Sequence, residues 1–147
     1  MSRQIGLLPS EWPELTEVGF RCRTRKGHES QEEMFATQLQ QVGIQFERQV
    51  LFAKAEMGRL WKLDFGFRPY MLAVEIEGIV PRRVGNEFVA GGRHGSVAGI
   101  IEDMDKYNSA ALLGWTVLRF PQKYVRSRRA IDFTLMMLQT RGWNRRA

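Results

Sequence analysis

The chain is 147 residues long and 44% hydrophobic, enough for one domain with a single core and too short for two ordinary ones. It carries 22 Lys and Arg against 16 Asp and Glu, a formal charge of +6, which suits a polyanionic partner, nucleic acid first of all. One cysteine, Cys22, excludes an internal disulfide and a cysteine-rich zinc cluster, and two histidines, His28 and His94, are too few for an all-nitrogen metal site. A bound metal would therefore be held by oxygen, as magnesium or manganese is.

Residues 1–29 mix Pro, Gly and Trp with the basic cluster Arg21, Arg23, Arg25 and Lys26 and sustain no period, so they read as an irregular basic arm ahead of a domain over 30–147. The opening MSRQIGLLPSEW lacks the basic-then-apolar pattern of a secretory signal, and no apolar run reaches membrane-spanning length, which predicts a cytoplasmic protein without membrane attachment. Ser30 and Glu33 have capping-box spacing, and Met34, Phe35, Leu39 and Val42 share one helical face before Gly43, predicting a helix over Gln31 to Val42. Residues 44–52 read as a strand, 53–60 as a turn, 61–67 as a second strand and 72–77 as a third, with Arg68, Pro69 and Tyr70 turning between the last two. The glycine-rich stretch from Ile79 to Gly99 shows no period and reads as a long loop at one edge of a site. Ile100, Ile101, Met104, Tyr107, Ala111 and Leu112 fit a second helix stopped by Gly114. A strand at 115–120 follows, and Ser127 offers an N-cap for a last helix over 128–140. The second helix would then join the third and fourth strands as a crossover and make them parallel.

Within WKLDFGFRPYMLAVEIEG, alternation puts Asp64 on the face opposite Trp61, Leu63, Phe65 and Phe67, and puts Glu75 and Glu77 together on one face of the next strand. Three carboxylates among apolar and aromatic neighbours are costly to bury unless a cation or a hydrogen-bond network compensates. With the short turn setting the register, Asp64 and Glu75 would form a two-carboxylate cradle for a divalent cation that polarises a phosphoryl oxygen and activates a water. The alternative is the wet face of a half-exposed sheet, its acids paired with Lys62 and Arg68.

These motifs resemble the PD-(D/E)XK nuclease superfamily, in particular the small phage and bacterial endonuclease-like proteins related to the very short patch repair endonuclease, over residues 30–125. The resemblance implies an α/β fold with a restriction-endonuclease-like αβββαβ core, a mixed central sheet flanked by helices. It implies that Asp64 and Glu75 are the acidic residues of the two motif halves, with the Ile76 carbonyl as a further metal ligand. Glu33 in SQEEMF matches the acidic residue often carried on the first helix, with Glu32 as the weaker stand-in. Position 77 departs from the pattern, being Glu where the superfamily has lysine; Lys106 in DMDKYNSAALLGWTVLRF is the replacement, since members are known in which this lysine has moved to the following helix. Lys106 also reads as a solvated partner of Glu102 or Asp103.

Glu77 has three open roles: a second-metal ligand, or an orienting partner of Lys106 or of Arg93. His94 in GGRHG matches a loop histidine of the repair endonuclease relatives, a general base or phosphate-positioning group, and reads equally as a loop histidine facing water. Arg93 beside it reads as a phosphate clamp through its planar fork. Arg21, Arg23, Arg25 and Lys26 at one end and Arg126, Arg128, Arg129, Arg141, Arg145 and Arg146 at the other would supply phosphate contacts, or form a solvated surface. The expectation is a magnesium- or manganese-dependent DNA endonuclease working by direct hydrolysis, with no nucleophilic serine, tyrosine or cysteine near the cluster. The rivals are a nuclease fold that has lost catalysis and serves as a DNA-binding or assembly module, and an RNA-directed protein. Cutting both strands from one site calls for a homodimer or for sequential nicking.

Overall fold

The computed structural model describes residues 30–78, 80–91 and 96–145. Ser30 accepts a hydrogen bond from the Glu33 N–H and starts α1 (Gln31–Val42), and Gly43 ends it in the left-handed conformation that only glycine adopts without strain. Then come β1 (Glu47–Val50), the single turn α2 (Lys54–Met57), β2 (Leu63–Phe67), a 3₁₀ turn at Arg68–Tyr70 and β3 (Leu72–Glu77). β4 (Val80–Val84) and β5 (Glu87–Gly91) precede α3 (Val97–Leu112), β6 (Thr116–Pro121), α4 (Gln122–Arg126) and α5 (Arg129–Thr140).

Four strands form one mixed sheet in the order β1-β2-β3-β6, antiparallel except for the parallel pair β3 and β6 that the α3 crossover creates. The chain is thus α/β, with a mixed sheet flanked by helices. One core cluster packs Phe35 and Leu39 of α1, together with Val125, Ile131 and Leu138 of α4 and α5, against Phe65, Phe67, Val74, Ile76 and Phe120. Phe35 meets Phe65 edge to face, their ring centres 5.0 Å apart. A smaller cluster on the α3 side holds Val50, Phe52, Leu63, Ala73, Ala110 and Trp115. No helix among the described residues is long and apolar enough to cross a membrane.

Several expectations change. The glycine-rich stretch is not a structureless loop: β4 and β5 pair as an antiparallel hairpin around a two-residue turn, Gly85-Asn86, with Gly85 at φ +63°. Gly-Asn between two strand-like runs is itself a hairpin signal, and the surrounding glycines masked it. The last helix is preceded by α4, so Ser127 caps the C-terminus of α4 and does not start the helix that follows; Arg128, at φ +62°, makes the corner between them. Of the apolar positions expected to bury the second helix, Tyr107 packs against the smaller cluster, whereas Ile100, Ile101, Met104, Ala111 and Leu112 are exposed, and Ala110 is the buried residue of α3.

Strict alternation also fails in β1. Phe46 packs in the first cluster and Val50, four residues on, in the second, because Gln49 between them sits at φ +52° and turns the chain over. Val50 then presses on Gly66, where an added Cβ would stand 2.6 Å from Val50 Cγ2. Valine is stiff about χ1 and this one is buried, so it has little room to yield. Gly66→Ala should therefore cost about 1–3 kcal/mol of stability in urea unfolding, and the added cost should shrink when Val50 is first cut to alanine. Equal costs in the two backgrounds would show that Val50 is not the obstacle.

Candidate functional site

Phe65 stands opposite Val74 and Gly66 opposite Ala73, so one step along the same antiparallel ladder Asp64 stands opposite Glu75. The two acids predicted to meet do so. Asp64 Oδ2 accepts a hydrogen bond of 2.9 Å from the Ile76 N–H, tying the side chain to the neighbouring strand beside Glu75. Its Oδ1 lies 3.5 Å from Gln49 Nε2, and Gln49 is the residue held at positive φ across the ladder. Left-handed backbone on a residue other than glycine costs on the order of 1 kcal/mol and gathers at functional sites.

Glu75 is buried, 7% exposed, in the middle of the sheet. Burial, then the charge of Asp64, push its carboxyl from the ordinary 4.5 up to about 8, against the opposing pull of Lys106. Lys106 reaches in from α3 and donates to Glu75 Oε1, with only 15% of its side chain exposed. Of the two acids of its own helix weighed as partners, Glu102 accepts from Trp61 Nε1 at 3.4 Å.

Glu77, on the same face of β3 as Glu75, meets a different cation. Its Oε1 accepts from Arg119 Nε, and the Arg119 guanidinium lies over the Tyr107 ring, 4.1 Å from its centre. The three roles left open for Glu77 thus gain a fourth, that of anchoring Arg119. The signal for Arg119 in the sequence is an arginine alone among the largely apolar residues of the fourth strand. Tyr107 does stand beside the acids, contrary to the expectation that no tyrosine would. Burial, followed by the charge of Glu75, pushes its phenol further above the ordinary 10.0, so it stays neutral at physiological pH and is a poor nucleophile.

Glu33 points its carboxylate at Arg48 Nη1, 2.5 Å away, and Arg48 lies 3.6 Å from Glu32. The acid of α1 that feels Asp64 is Glu32, whose carboxyl is raised first by burial and then by Asp64. Among the described residues no three His, Cys, Asp or Glu side chains gather closely enough to hold a metal ion. The meeting of Asp64, Glu75 and Glu77 is therefore a meeting of two. Those two nonetheless fit a hard cation: both are oxygen donors, they stand opposite each other on adjacent strands, and hard divalent cations take carboxylate oxygens.

Among the basic residues, Arg126 ends α4, and Arg128 and Arg129 stand at the start of α5, two helices that follow β6 and pack with α1 in the larger cluster. Arg129 stacks 4.3 Å above the Tyr124 ring. Arg141 is structural: it donates to the carbonyls of Tyr70 and Met71, at 2.7 and 3.1 Å, and to Thr116 Oγ1 at 2.6 Å. Arg21, Arg23, Arg25, Lys26, Cys22 and His28 of the arm, Arg93 and His94 of the glycine-rich stretch, and Arg146 lie outside the described residues.

The chain matches no protein-family model, no curated protein and no solved structure. Function is therefore argued from the geometry of these side chains.

The raised Glu75 carboxyl predicts a pH dependence. The unfolded chain ionises Glu75 from about pH 4.5 upward, while the folded chain keeps the proton to about pH 8, so over this window the folded state binds more protons and loses stability as pH rises. In a chelator, thermal unfolding of the wild type should fall more steeply between pH 5 and pH 8 than that of Glu75→Gln. Parallel curves would remove Glu75 as the cause.

Proposed function

We propose that the chain is a metal-dependent DNA endonuclease that hydrolyses phosphodiester bonds by direct attack of water. The observation that carries this reading is the placement of Asp64 and Glu75 side by side on adjacent strands, with Lys106 of a third segment bonded to Glu75. Two neighbouring carboxylates, Glu75 buried and Asp64 half-buried, and one ammonium group match what phosphodiester hydrolysis asks of a protein: ligands for a cation, and a positive group near the attacked phosphate.

In this reading Asp64 and Glu75, with the Ile76 carbonyl, hold magnesium or manganese, which when bound supplies the Lewis acidity for the reaction. Asp64 is already oriented by the Ile76 N–H. Lys106 takes the place of the lysine missing at position 77, orienting the attacking water and offsetting charge on the phosphate. Glu32 and Glu33 of α1 form the acidic rim, and His94 with Arg93 serves the phosphate from the stretch before α3. Arg126, Arg128 and Arg129, and the basic arm Arg21, Arg23, Arg25 and Lys26, contribute salt-sensitive contacts to the DNA backbone. Such an enzyme works in the cytoplasm of a bacterial or phage-infected cell, and a homodimer would let it cut both strands.

One observation favours a second reading, a nuclease fold that binds DNA without cutting it. Glu77 stands where a lysine is expected and is engaged with Arg119. Incubation with plasmid, single-stranded, branched DNA and RNA separates the readings: metal-dependent products that vanish in EDTA belong to the enzyme, and salt-sensitive binding without products to the module.

Asp64→Ala should lower cleavage by at least about 1,000-fold with salt-sensitive DNA binding kept within a few-fold, because the loss falls on the transition state. Lys106→Ala should lose on the order of 100-fold or more. Full activity in Asp64→Ala, in a protein that unfolds at the wild-type temperature, would refute the assignment.

A further inference from the structure

Arg119 is the second cation that the fold brings to the acidic pair, and no part of the proposed hydrolysis yet uses it. It stands next to Glu75 in the parallel ladder, with Ala73 paired to Val117 and Glu75 to Arg119, so the two side chains leave the sheet on the same face. That face is the one α3 covers with Lys106 and Tyr107. Two neighbours fix the guanidinium: Glu77 Oε1 accepts from its Nε, and the Tyr107 ring lies 4.1 Å beneath it. Its side chain remains 43% exposed, whereas that of Lys106 is 15% exposed. The one arginine atom bonded to Glu77 is Nε, on one edge of the planar fork. An arginine held by its Nε edge and its flat face keeps terminal N–H donors for a second anion.

We propose that Arg119 binds the phosphate of the nucleic-acid backbone that lies over Asp64 and Glu75, and that Glu77 and Tyr107 are positioning residues which hold its fork in place. This deepens the nuclease reading and rests on it. The acid at position 77 then has a use of its own: where a lysine would face the phosphate directly, this chain places a carboxylate that orients an arginine one strand away. Arginine suits the task because its donors match two phosphate oxygens at once and its charge persists at any physiological pH. The Tyr107 phenol, kept neutral, offers a flat apolar support without adding an anion.

The test compares full-length wild type with Arg119→Ala, Arg119→Lys, Glu77→Gln and the double variant Arg119→Ala/Glu77→Gln, and with Asp64→Ala as the control for the site itself. Cleavage of plasmid DNA is read with magnesium, and binding of a short duplex is read by fluorescence anisotropy over a salt series with calcium in place of magnesium. Arg119→Ala should lose on the order of 100-fold in cleavage. It should unfold within about 2 °C of wild type and lower the slope of log affinity against log salt by about one. Arg119→Lys should recover part of the binding and little of the cleavage, since it keeps the charge and loses the fork. Glu77→Gln should lose less than Arg119→Ala, and the double variant should lose no more than Arg119→Ala alone, as expected when one residue acts through the other.

Losses that multiply in the double variant would overturn the anchoring role of Glu77, and an unchanged salt slope in Arg119→Ala would overturn the phosphate contact. If Asp64→Ala cleaves like wild type, or if the wild type does not cleave at all, the nuclease reading fails by itself, and the salt slope still decides whether Arg119 touches the nucleic acid.

Discussion

The structure turns on a carboxyl group in an expensive place. Glu75 sits in the third of four strands, flanked by β2 on one side and β6 on the other, where little of it is open to water. A buried carboxylate costs several kcal/mol unless its charge is met, and such groups answer by pairing or by taking up a proton. Glu75 does some of each: it accepts from Lys106, and its proton is held to higher pH by burial and by Asp64. The neighbourhood is arranged around that compromise.

The arrangement accounts for the orientation of α3. A surface helix normally turns its apolar stripe to the core, and α3 does the reverse, with Lys106 and Tyr107 facing the sheet while Val97, Ile101, Met104 and Leu112 face out. Packing alone would favour the other face. The face of α3 that meets the sheet instead carries Lys106, bonded to a buried acid, and a small buried residue, Ala110. Long-range pairing of this kind, between residues 75 and 106, makes the helix orientation a property of the sheet beneath it.

Local signals carried much of the architecture. The cap at Ser30, the stop at Gly43, the strand at Leu72–Glu77 and the parallel return through α3 were all legible, because each rests on a short-range preference or on a connection too long to be a hairpin. What local signals missed has a physical reason in each case. The β4–β5 hairpin hid among glycines that serve its turn and its approaches. The single turn α4 was invisible because one turn holds too few residues to show a period. Gln49 broke the alternation of β1 by adopting a backbone conformation that nothing in its side chain announces.

The candidate site divides along the same line. Residue types and spacing alone determined that Asp64 and Glu75 would emerge from adjacent strands, since period-two alternation and a short connection leave few registers open. They also determined the excess of positive charge that makes an anionic partner sensible. Only the tertiary structure decided which cation meets which acid: Lys106 goes to Glu75, Arg119 to Glu77 and Arg48 to Glu33, each choice made by a contact between segments 15 to 42 residues apart. Charge pairing depends on distance in space and on burial, and neither is written in the order of the residues.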